Sequence, residues 1–328
     1  MSASSVCNFL IVFLLLAFNV TLCFTFKSKL DNNGDDDIKK PVIFIVTYFR
    51  SGSSFLGDLL QQADNSFYFF EPLRYLTLDQ RISEQNKGKA FAVIESLVRC
   101  NFTKLVQNLG WSDFRFTLRS KQFTNNSWVR NASLILNIEQ GERMCRHASR
   151  YVFKFTRLHM EHLDGLLQRL HESVIKVIYL TRDPRGISNS RHKERWCQEK
   201  CKSIKQLCYE MADDLLQFDF LKKKYPRRLF NVRFEDLALR PFSTSELMFN
   251  QLNIPITTKD VRFLYNHTQI TERNKVYANS SLSTFKNSND IAYKWMHEMR
   301  KADIEESVKH CRFVLDKLQY VSLLDPVD

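Results

Sequence analysis

The stretch from Pro41 to Leu60 constrains the fold most strongly, because it joins a buried strand to a helix through a very short loop. Residues 41–49 are apolar, β-branched and aromatic, which is typical of a strand inside a sheet. The loop at 50–54 (RSGSS) has small polar residues and one arginine, and residues 55–62 repeat apolar side chains at helical spacing. A strand, a tight loop and a helix N-terminus together predict an anion-binding cradle, since first-turn N–H groups and the helix dipole favour negative charge.

The same loop has a simpler interpretation, in which Ser51 or Ser53 caps an ordinary helix. It is not a Walker A loop, because the G-x-x-x-x-G-K-[ST] spacing is absent and no lysine follows Gly52. Arg50 instead supplies a planar fork of donors for an oxyanion. The loop therefore indicates a phosphate-like ligand without the magnesium-dependent chemistry of P-loop NTPases.

Strand-like and helix-like segments alternate along the rest of the chain. Further strands are predicted at residues 67–71, 151–156, 174–181 and 228–234. Amphipathic helices are predicted at residues 90–105, 158–170, 184 onward, 203–224 and 303–318. This alternation predicts an α/β fold, in which residues 41–328 form a single domain with a parallel β-sheet flanked by helices on both faces. Residues 106–150 show no clear pattern and are interpreted as loops and helices over the active face.

Residues 7–26 form an uncharged apolar segment of about the length that spans a membrane. This length favours a transmembrane signal anchor, with residues 1–6 as a short cytosolic tail. The flanking charges and the small residues at 21–23 are also compatible with a cleaved signal peptide. In either case the polar residues 27–40 form a stem, and residues 41–328 enter the secretory lumen.

Cysteines and glycosylation sequons agree with a lumenal location. Two of the eight cysteines lie in the apolar segment, and the others are Cys100, Cys145, Cys197, Cys201, Cys208 and Cys311. Six cysteines in an oxidising compartment predict three disulfides, with a local bridge expected within residues 197–208 and the other pairings left open. Sequons predict glycosylated surface loops at Asn101, Asn125, Asn131, Asn266 and Asn279.

A second candidate anion site follows the strand at 174–181. Asp183 fits a helix N-cap and Pro184 the first helical position, so a helix is expected to begin there. Ser190 shares a helix face with Gly186, and we expect this glycine to leave room for a ligand. Arg182, at the strand end, is expected to face the same crevice, because ligands of open α/β sheets bind at the carboxyl ends of strands. The simpler alternative is a capped helix with a solvated basic face.

Together the two loops resemble those of sulfotransferases. TYFRSGSSFL at residues 47–56 is similar to the 5′-phosphosulfate-binding loop of that family, and LTRDPRGISNSR at 180–191 is similar to its 3′-phosphate-binding motif. The likeness is strongest to the Golgi carbohydrate 6-O-sulfotransferases, which act on galactose, N-acetylglucosamine and chondroitin. Further similar stretches are FYFFEPL at 67–73, FKFTRL at 153–158, VRFEDLALRP at 232–241, Trp295 and CRFVLDKLQY at 311–320. Gln319 replaces a glycine usual in the family, and we expect it to affect a helix end rather than catalysis.

The resemblance implies a P-loop-like sulfotransferase fold and the donor 3′-phosphoadenosine 5′-phosphosulfate. The sulfuryl group would pass in line to a sugar hydroxyl, by this likeness the 6-hydroxyl, of a glycan or glycosaminoglycan. Arg50 would balance charge on the leaving 5′-phosphate oxygen, and Arg182 and Ser190 would hold the 3′-phosphate. The 5′ end would be cradled by Ser51, Gly52, Ser53, Ser54 and Phe55. No metal is expected, because fixed cations and amide donors can stabilise the transition state. The protein would be a single-pass type II Golgi membrane protein with a lumenal catalytic domain.

A general base is needed for the acceptor hydroxyl. Glu71 is the first candidate, because it ends the strand after the cradle. Related sulfotransferases have a catalytic glutamate at a similar distance in sequence from this loop. The alternative role of Glu71 is a structural ion pair with a buried arginine. His159 and His162 are the other candidates, on a predicted helix where we expect them at the surface. Lys154 and Arg157 are expected to reach the cleft and contact the sulfonate or an acidic acceptor.

Two further alternatives concern a metal and the reaction class. The spacing of His192, Cys197, Cys201 and Cys208 matches no common zinc pattern, and an oxidising lumen favours disulfides. A P-loop kinase is disfavoured by the missing Walker lysine.

The main functional alternative is a catalytically silent lumenal glycan-binding protein that keeps the fold. The presence of Arg50, Glu71, Arg182 and Ser190 together argues against it. The formal net charge of +12 suits an acidic ligand, a polyanionic partner or a membrane surface. We expect no nucleic-acid partner, and a homodimer is compatible with the sequence.

Overall fold

The computed structural model describes residues 40–109, 118, 138–279 and 283–320. The expected cytosolic tail, the apolar segment and all of the stem except Lys40 lie outside these ranges, as do the sequons at Asn125 and Asn131. Within the described ranges, no helix combines the length and the apolarity that crossing a membrane requires. The residues from Lys40 onward form one compact unit.

The central sheet in the described residues has five strands, all paired in parallel. They are β1 Val42–Val46, β2 Ser66–Phe70, β3 Arg150–Phe155, β4 Ile175–Thr181 and β5 Leu229–Arg233. Their order is β2-β3-β1-β4-β5, so β1 lies at the centre between β3 and β4. The predicted parallel α/β architecture is confirmed, and each predicted strand is present within one to a few residues of its expected bounds.

Helices follow or precede every strand. They are α1 Ser53–Leu60, α2 Glu84–Val98, α3 Phe102–Leu109, α4 Ile138–Arg146, α5 Leu163–Arg169, α6 Pro184–His192, α7 Glu199–Lys202, α8 Ile204–Lys224, α9 Phe234–Leu239, α10 Pro241–Leu252, α11 Thr258–Thr268, α12 Ser288–Tyr293, α13 Trp295–Glu298 and α14 Lys301–Lys317. Short 3-10 turns occupy Arg74–Leu76, Met160–His162 and Lys275–Asn279.

Alternate side chains of β1 enter two separate hydrophobic cores. Phe44 and Val46 pack in the core that contains Ile187 of α6, together with residues of α8 and α14. Ile43 and Ile45 pack in the other core, which contains the apolar face of α1. Because α1 and α6 follow neighbouring strands but cover opposite faces, the carboxyl ends of β1 and β4 flank a topological switch point, where ligands of open α/β sheets bind. Both predicted anion loops therefore lie at this crevice.

The helix predicted over residues 90–105 is wrong, because the structure has two helices there. The chain turns between α2 and α3 at Cys100, whose φ of 53° is left-handed. Cys100 is bonded to Cys145 at the end of α4, so the disulfide holds the turn in a position that helical periodicity alone does not reveal. The helix predicted at 158–170 likewise begins as the 3-10 turn Met160–His162 and becomes α-helical only at Leu163.

The three predicted disulfides are confirmed. Besides Cys100–Cys145, they are the local bridge Cys197–Cys201 and the bridge Cys208–Cys311, which joins α8 to α14. Gln319 is the second residue after α14 and has a left-handed φ of 59°, a conformation for which glycine is the favoured residue.

The described sequons do not all lie in loops. Asn101 is exposed in the turn before α3, where its side chain accepts a hydrogen bond from the Lys104 amide at 3.3 Å. Asn266 is exposed on α11, so the prediction of a loop is wrong at this position. Asn279 ends the 3-10 turn Lys275–Asn279. The stretch 106–150, which shows no clear sequence pattern, is described only in part. Within it, Leu118 forms an isolated antiparallel β-bridge with Phe69 of the edge strand β2.

Candidate active site

The loop between β1 and α1 has a left-handed backbone at two positions. Arg50 has a φ of 71° and Gly52 a φ of 86°. A Cβ at Gly52 would lie 2.3 Å from Cδ2 of Phe234, so the backbone angle and the adjacent ring both require glycine. α1 begins at Ser53 with no capping hydrogen bond from a side chain of the described residues. Side chains of the described residues thus leave the first amides of this helix uncapped, as an anion cradle requires.

The simpler interpretation, in which Ser51 or Ser53 caps α1, is wrong. The residue at the N-cap is Gly52, and both serines are buried. The Ser51 hydroxyl donates to the Tyr48 carbonyl at 2.8 Å and also contacts Thr47 Oγ1. Ser51 thus shapes the loop with its side chain, and its main chain is what it can offer to a ligand.

The side chains of Ser54 and Phe55 also make contacts within the protein. The Ser54 hydroxyl accepts a hydrogen bond from Lys154 Nζ at 3.1 Å and so links the cradle to the end of β3. The Phe55 ring packs against Phe263 with 5.4 Å between centroids, and its amide donates to the Gly52 carbonyl at 3.1 Å. Phe55 therefore anchors α1 in the core rather than presenting its side chain to the crevice.

Arg50 connects the two predicted loops. Its Nε donates to Ser190 Oγ at 2.9 Å, and its carbonyl accepts from Arg182 Nη1 at 2.8 Å. Its Nη1 lies 3.2 Å from Glu194 Oε1. Burial lowers the pKa of Arg50, and Glu194 opposes that effect, so the guanidinium stays charged at neutral pH. Residues far apart in sequence thus form one cationic cluster at the switch point.

The second loop has the backbone that the sequence predicts. Asp183 caps α6 by accepting from the Arg185 amide at 2.9 Å, and Pro184 occupies the first turn. The Asp183 carboxylate also pairs with the Arg185 guanidinium at 2.7 Å, and both side chains are fully buried. The expectation that Gly186 leaves room for a ligand is wrong: a Cβ there would lie 3.1 Å from both Arg182 Nε and Trp295 Cδ1. The glycine instead gives Arg182 and Trp295 the space they occupy.

Arg182 is a buried cation with an unmet donor. Its guanidinium lies 4.3 Å from the centroid of the Phe234 ring, and the residue is 7% exposed. In the described part of the chain, its Nε has no hydrogen-bond partner. Burial lowers the pKa of Arg182, and Glu235 and Asp183 act against this. Because an unpaired buried donor is costly, this geometry fits an anionic ligand in the crevice.

Glu71, Lys154 and Arg157 form a compact ion cluster at the carboxyl ends of β2 and β3. Glu71 Oε1 lies 2.9 Å from Lys154 Nζ, and its Oε2 lies 2.8 Å from Arg157 Nη1. Burial raises the pKa of Glu71, but the two cations outweigh burial and lower it to about 2. Through the Lys154–Ser54 hydrogen bond this cluster adjoins the first loop, so the structure brings Glu71, Lys154 and Arg157 to the same edge of the sheet as the two loops.

The expectation of surface positions for both histidines is wrong. The His162 side chain is 1% exposed, with Nε2 at 3.2 Å from Glu84 Oε1. His159 is partly buried, and burial together with Arg81 lowers its pKa to about 3. Helical periodicity does not show this, because the segment is a 3-10 turn folded against the core.

The cysteines considered as zinc ligands are all bonded in disulfides, so their sulfurs are not metal ligands. Elsewhere in the described ranges, Glu84, Glu161 and His162 bring ligand atoms within 4.8 Å of one another. The two glutamates of that group are exposed, and Lys87 already pairs with Glu84 at 3.2 Å.

Glu194 is a site residue that the sequence interpretation missed. It pairs with Arg50, and its Oε2 accepts from Trp196 Nε1 at 3.0 Å. The neighbouring Arg191 donates to the Phe49 carbonyl at 3.3 Å, and the Cys197–Cys201 bridge packs against Phe49. The segment after α6 therefore supports the first loop from behind. The cysteines Cys197 and Cys201 did indicate a local bridge in this segment. Glu194, however, stands in sequence among the charged residues Lys193 and Arg195, a pattern typical of a solvent-exposed segment.

The fold and the crevice define an α/β protein in which arginines at a topological switch point stand where a Walker A loop would have its lysine. The family model described as "Sulfotransferase domain" matches residues 40–319. The chain belongs to this family and is a sulfotransferase, as its two loops predict.

Named relatives cover most of the chain. Carbohydrate sulfotransferase 1 of Homo sapiens is 26% identical over 338 residues, covering 86% of this chain and 80% of that protein. Carbohydrate sulfotransferase 3 of Mus musculus is 26% identical over 314 residues, covering 78% of this chain and 63% of that protein. Among solved structures, the sulfotransferase domain from the curacin biosynthetic pathway is 19% identical with a TM-score of 0.44, covering 82% of this chain and 96% of that chain.

Proposed function

We propose that this protein transfers a sulfuryl group from 3′-phosphoadenosine 5′-phosphosulfate to a sugar hydroxyl of a glycan, the 6-hydroxyl by its family likeness. The observation that carries the proposal is the contact of Arg50 with both Arg182 and Ser190. It joins a loop suited to a 5′-phosphosulfate to a loop suited to a 3′-phosphate, and together they match one particular nucleotide. The names of the relatives, which are carbohydrate sulfotransferases, support a sugar acceptor.

The donor is held by main chain at one end and by side chains at the other. Amides of residues 52–54, at the start of α1, cradle the 5′ end, and Arg50 lies beside it to balance charge on the leaving oxygen. Arg182 and Ser190 hold the 3′-phosphate. The unmet Nε–H of Arg182 supports this assignment, because a 3′-phosphate oxygen would supply the acceptor that the protein lacks.

Lys154 is placed to act on the sulfuryl group. Its Nζ bonds Ser54 Oγ at 3.1 Å, so it stands at the mouth of the cradle. A transferring sulfuryl group carries less negative charge than a phosphoryl group, and fixed cations can stabilise its transition state. Lys154 would then exchange its contact with Glu71 for one with a sulfonate oxygen.

That exchange gives Glu71 its role as general base. A carboxylate with a pKa of about 2 is a weak base at neutral pH, because an effective base has a pKa near the working pH. Lys154 is one of the two cations that depress the pKa, so its movement toward the sulfonate raises the pKa of Glu71 and frees Oε1 for the acceptor hydroxyl. Arg157 stays paired with Oε2 and holds the carboxylate in place.

Substitution of Glu71 by glutamine tests this role. We expect Glu71→Gln to bind donor normally but to lose turnover by about 10²- to 10⁴-fold. Asp164→Asn, on the exposed Asp164–Lys224 pair, is the control and should leave turnover unchanged. A fully active Glu71→Gln enzyme would move the base elsewhere. The ion cluster should also make stability pH-dependent: its contribution is present above the ordinary value of 4.5 and is lost as the pH falls toward about 2.

The function itself is tested by one incubation of the protein with radiolabelled donor and a panel of glycans. Chondroitin, keratan, heparan and glycans ending in N-acetylglucosamine are the candidates, with the labelled position mapped afterwards. Label on a 6-hydroxyl is the expected result. Glycan binding without transfer would favour the silent glycan-binding alternative and overturn the proposal.

The location in the cell is part of the same proposal. Residues 7–26 would anchor a type II protein in the Golgi membrane, with residues 41–328 in the lumen. The three disulfides support an oxidising compartment. Deleting residues 1–26 and replacing them with a cleavable signal should convert a membrane-bound protein into a secreted one.

A further inference from the structure

A cavity of about 250 Å³ lies beside the crevice, and none of the roles above uses it. We call it the Arg81 cavity. Its walls come from the segments that follow β1, β2 and β3, and from α6, α7 and the start of α8. The residues that matter below are Phe49, Asp79, Arg81, Thr156, Arg191, Lys200, Gln206 and Glu210.

Two N–H groups of the Arg81 guanidinium have no hydrogen-bond acceptor among the described residues at this cavity. Its side chain is 5% exposed, and Nη2 is bonded to Asp214 at 2.7 Å and to the Leu158 carbonyl at 2.6 Å. Among the residues that the structure describes, no acceptor serves its Nε or its Nη1. Buried guanidinium donors without acceptors cost free energy, so a ligand that supplies oxygen atoms would be stabilised here.

The charges around the cavity are balanced. Arg81, Arg191 and Lys200 are the cations, and Asp79 and Glu210 line the same space, with Asp214 paired to Arg81 behind it. His159, which also lines the cavity, is neutral at working pH because burial and Arg81 lower its pKa to about 3.

This balance decides what kind of ligand fits. An additional anion would leave one charge unmatched, whereas a neutral polyhydroxylated group can accept from the arginines and donate to the carboxylates. Gln206, whose Nε2 donates to Glu210 Oε1 at 2.9 Å, offers its amide oxygen to the same group. The volume is below the usual range for drug-sized ligands and is that of a single-ring occupant.

The cavity adjoins the ion cluster at Glu71. Thr156 lines it, and the Thr156 hydroxyl accepts from Arg157 Nη1 at 3.1 Å. The same Nη1 lies 2.8 Å from Glu71 Oε2, so one side chain separates the cavity from the proposed base. Phe49 forms part of this partition, with its ring 4.7 Å from the Arg157 guanidinium carbon.

We propose that the Arg81 cavity binds one uncharged sugar residue of the acceptor, a neighbour of the residue that receives the sulfuryl group. This inference rests on the proposed function and adds the acceptor's chemistry: the residue in the cavity carries hydroxyl groups and neither a sulfate nor a carboxylate. Arg81 is its central donor, and Glu210 and Gln206 fix its orientation.

The test uses variants at the mouth of the cavity, because Arg81 also pairs with Asp214 and its removal endangers folding. Gln206→Leu and Glu210→Gln should each raise the KM for an oligosaccharide acceptor by about tenfold, with kcat and donor affinity changed less than twofold. The same variants should leave the KM for a monosaccharide acceptor unchanged, since it does not reach the cavity. Gln251→Leu, an exposed glutamine on α10 outside the lining, is the matched control.

A second arm compares oligosaccharides whose residue next to the acceptor sugar is neutral, sulfated or a uronic acid. The wild-type enzyme should prefer the neutral neighbour by about tenfold in kcat/KM. Preference for a charged neighbour, or an unchanged oligosaccharide KM in both variants, would overturn the inference. Failure of the wild type to sulfate any glycan would instead refute the proposed function. In that case, neutral oligosaccharide binding measured by calorimetry decides the inference: it should be present in wild type and at least tenfold weaker in Gln206→Leu, and equal binding would reject it.

Discussion

The two loops that meet at Arg50, which we propose bind the two ends of the donor, are built in opposite ways. In the first loop the backbone is open to a ligand: Arg50 and Gly52 have φ values of 71° and 86°, and α1 has no side-chain cap among the described residues. In the second loop the backbone is closed, because Asp183 caps α6 and binds Arg185. There the side chains of Arg182, next to the cap, and of Ser190, further along α6, are the groups that we propose bind the 3′-phosphate.

The difference predicts different sensitivities to substitution. A site made from main chain depends on the one residue that allows its conformation and tolerates changes in many side chains. A site made from side chains depends on those few groups and on the buried pair that holds their helix. Substitutions in each loop can therefore distinguish a loss of donor binding from a loss of stability. The largest losses of sulfuryl transfer should come from substitution of the arginines.

The first prediction is that Arg182→Ala and Arg50→Ala each reduce sulfuryl transfer by about 10³-fold, or about 4 kcal/mol. Each removes a fixed cation from a crevice in which Arg182 is 7% exposed. The control is Arg240→Ala, which breaks the exposed Arg240–Asp236 pair and should leave transfer unchanged. Donor binding by calorimetry and transfer of label are the measurements. Near-normal transfer by either crevice variant would reject the assignment of both loops.

The second prediction concerns the pair that holds the second loop. Asp183→Ala removes the cap of α6 and leaves the fully buried Arg185 without its carboxylate partner, which should lower the free energy of unfolding by about 3 kcal/mol or more. Asp236→Ala, at an exposed pair, should cost less than about 1 kcal/mol. Denaturant unfolding of both variants checks this. Equal, small effects would mean that Asp183 does not support the loop.

The third prediction applies the same test to the first loop. Gly52→Ala places a methyl group 2.3 Å from Phe234 at a left-handed φ of 86°, so we expect a loss of about 2 kcal/mol in stability together with weaker donor binding. Gly88→Ala is the matched control, because α2 has open space there and alanine favours helix; it should add about 0.5–1 kcal/mol. If both glycines tolerate alanine alike, the backbone of the first loop is not the site.

The contrast also explains how much the sequence could predict. The strands and both loops were predictable because apolar periodicity, the Asp183-Pro184 start signal and the Gly/Ser loop are local features of the chain. The parallel sheet followed from the alternation of elements. The site residues Arg50, Glu71, Arg182 and Ser190 were predicted from the ends of these elements and from the family likeness, and the structure brings them to one edge of the sheet.

What the sequence could not predict depends on packing between distant segments. The turn at Cys100 is held by a bond to Cys145, and His162 is buried by elements that periodicity does not reveal. The side chains of Arg182 and Trp295 lie against Gly186, because the fold brings α6 and α13 together. Glu194 looked like one charge in a polar run, and only the three-dimensional contact with Arg50 gives it a role.

The smallest expected change in donor binding is at Ser190, and it distinguishes the two loops most directly. Ser190→Ala removes one neutral hydroxyl that accepts from Arg50 Nε at 2.9 Å, so donor affinity should fall by about fivefold, or about 1 kcal/mol. Ser51→Ala should behave differently, because its hydroxyl bonds the Tyr48 carbonyl; it should lower stability by about 1 kcal/mol while changing donor affinity less than twofold once folded. Calorimetric titration with donor and denaturant unfolding of both variants measure the two quantities. If Ser51→Ala loses donor affinity and Ser190→Ala loses only stability, then side chains act in the first loop and backbone in the second, and the assignment of the two loops has to be reversed.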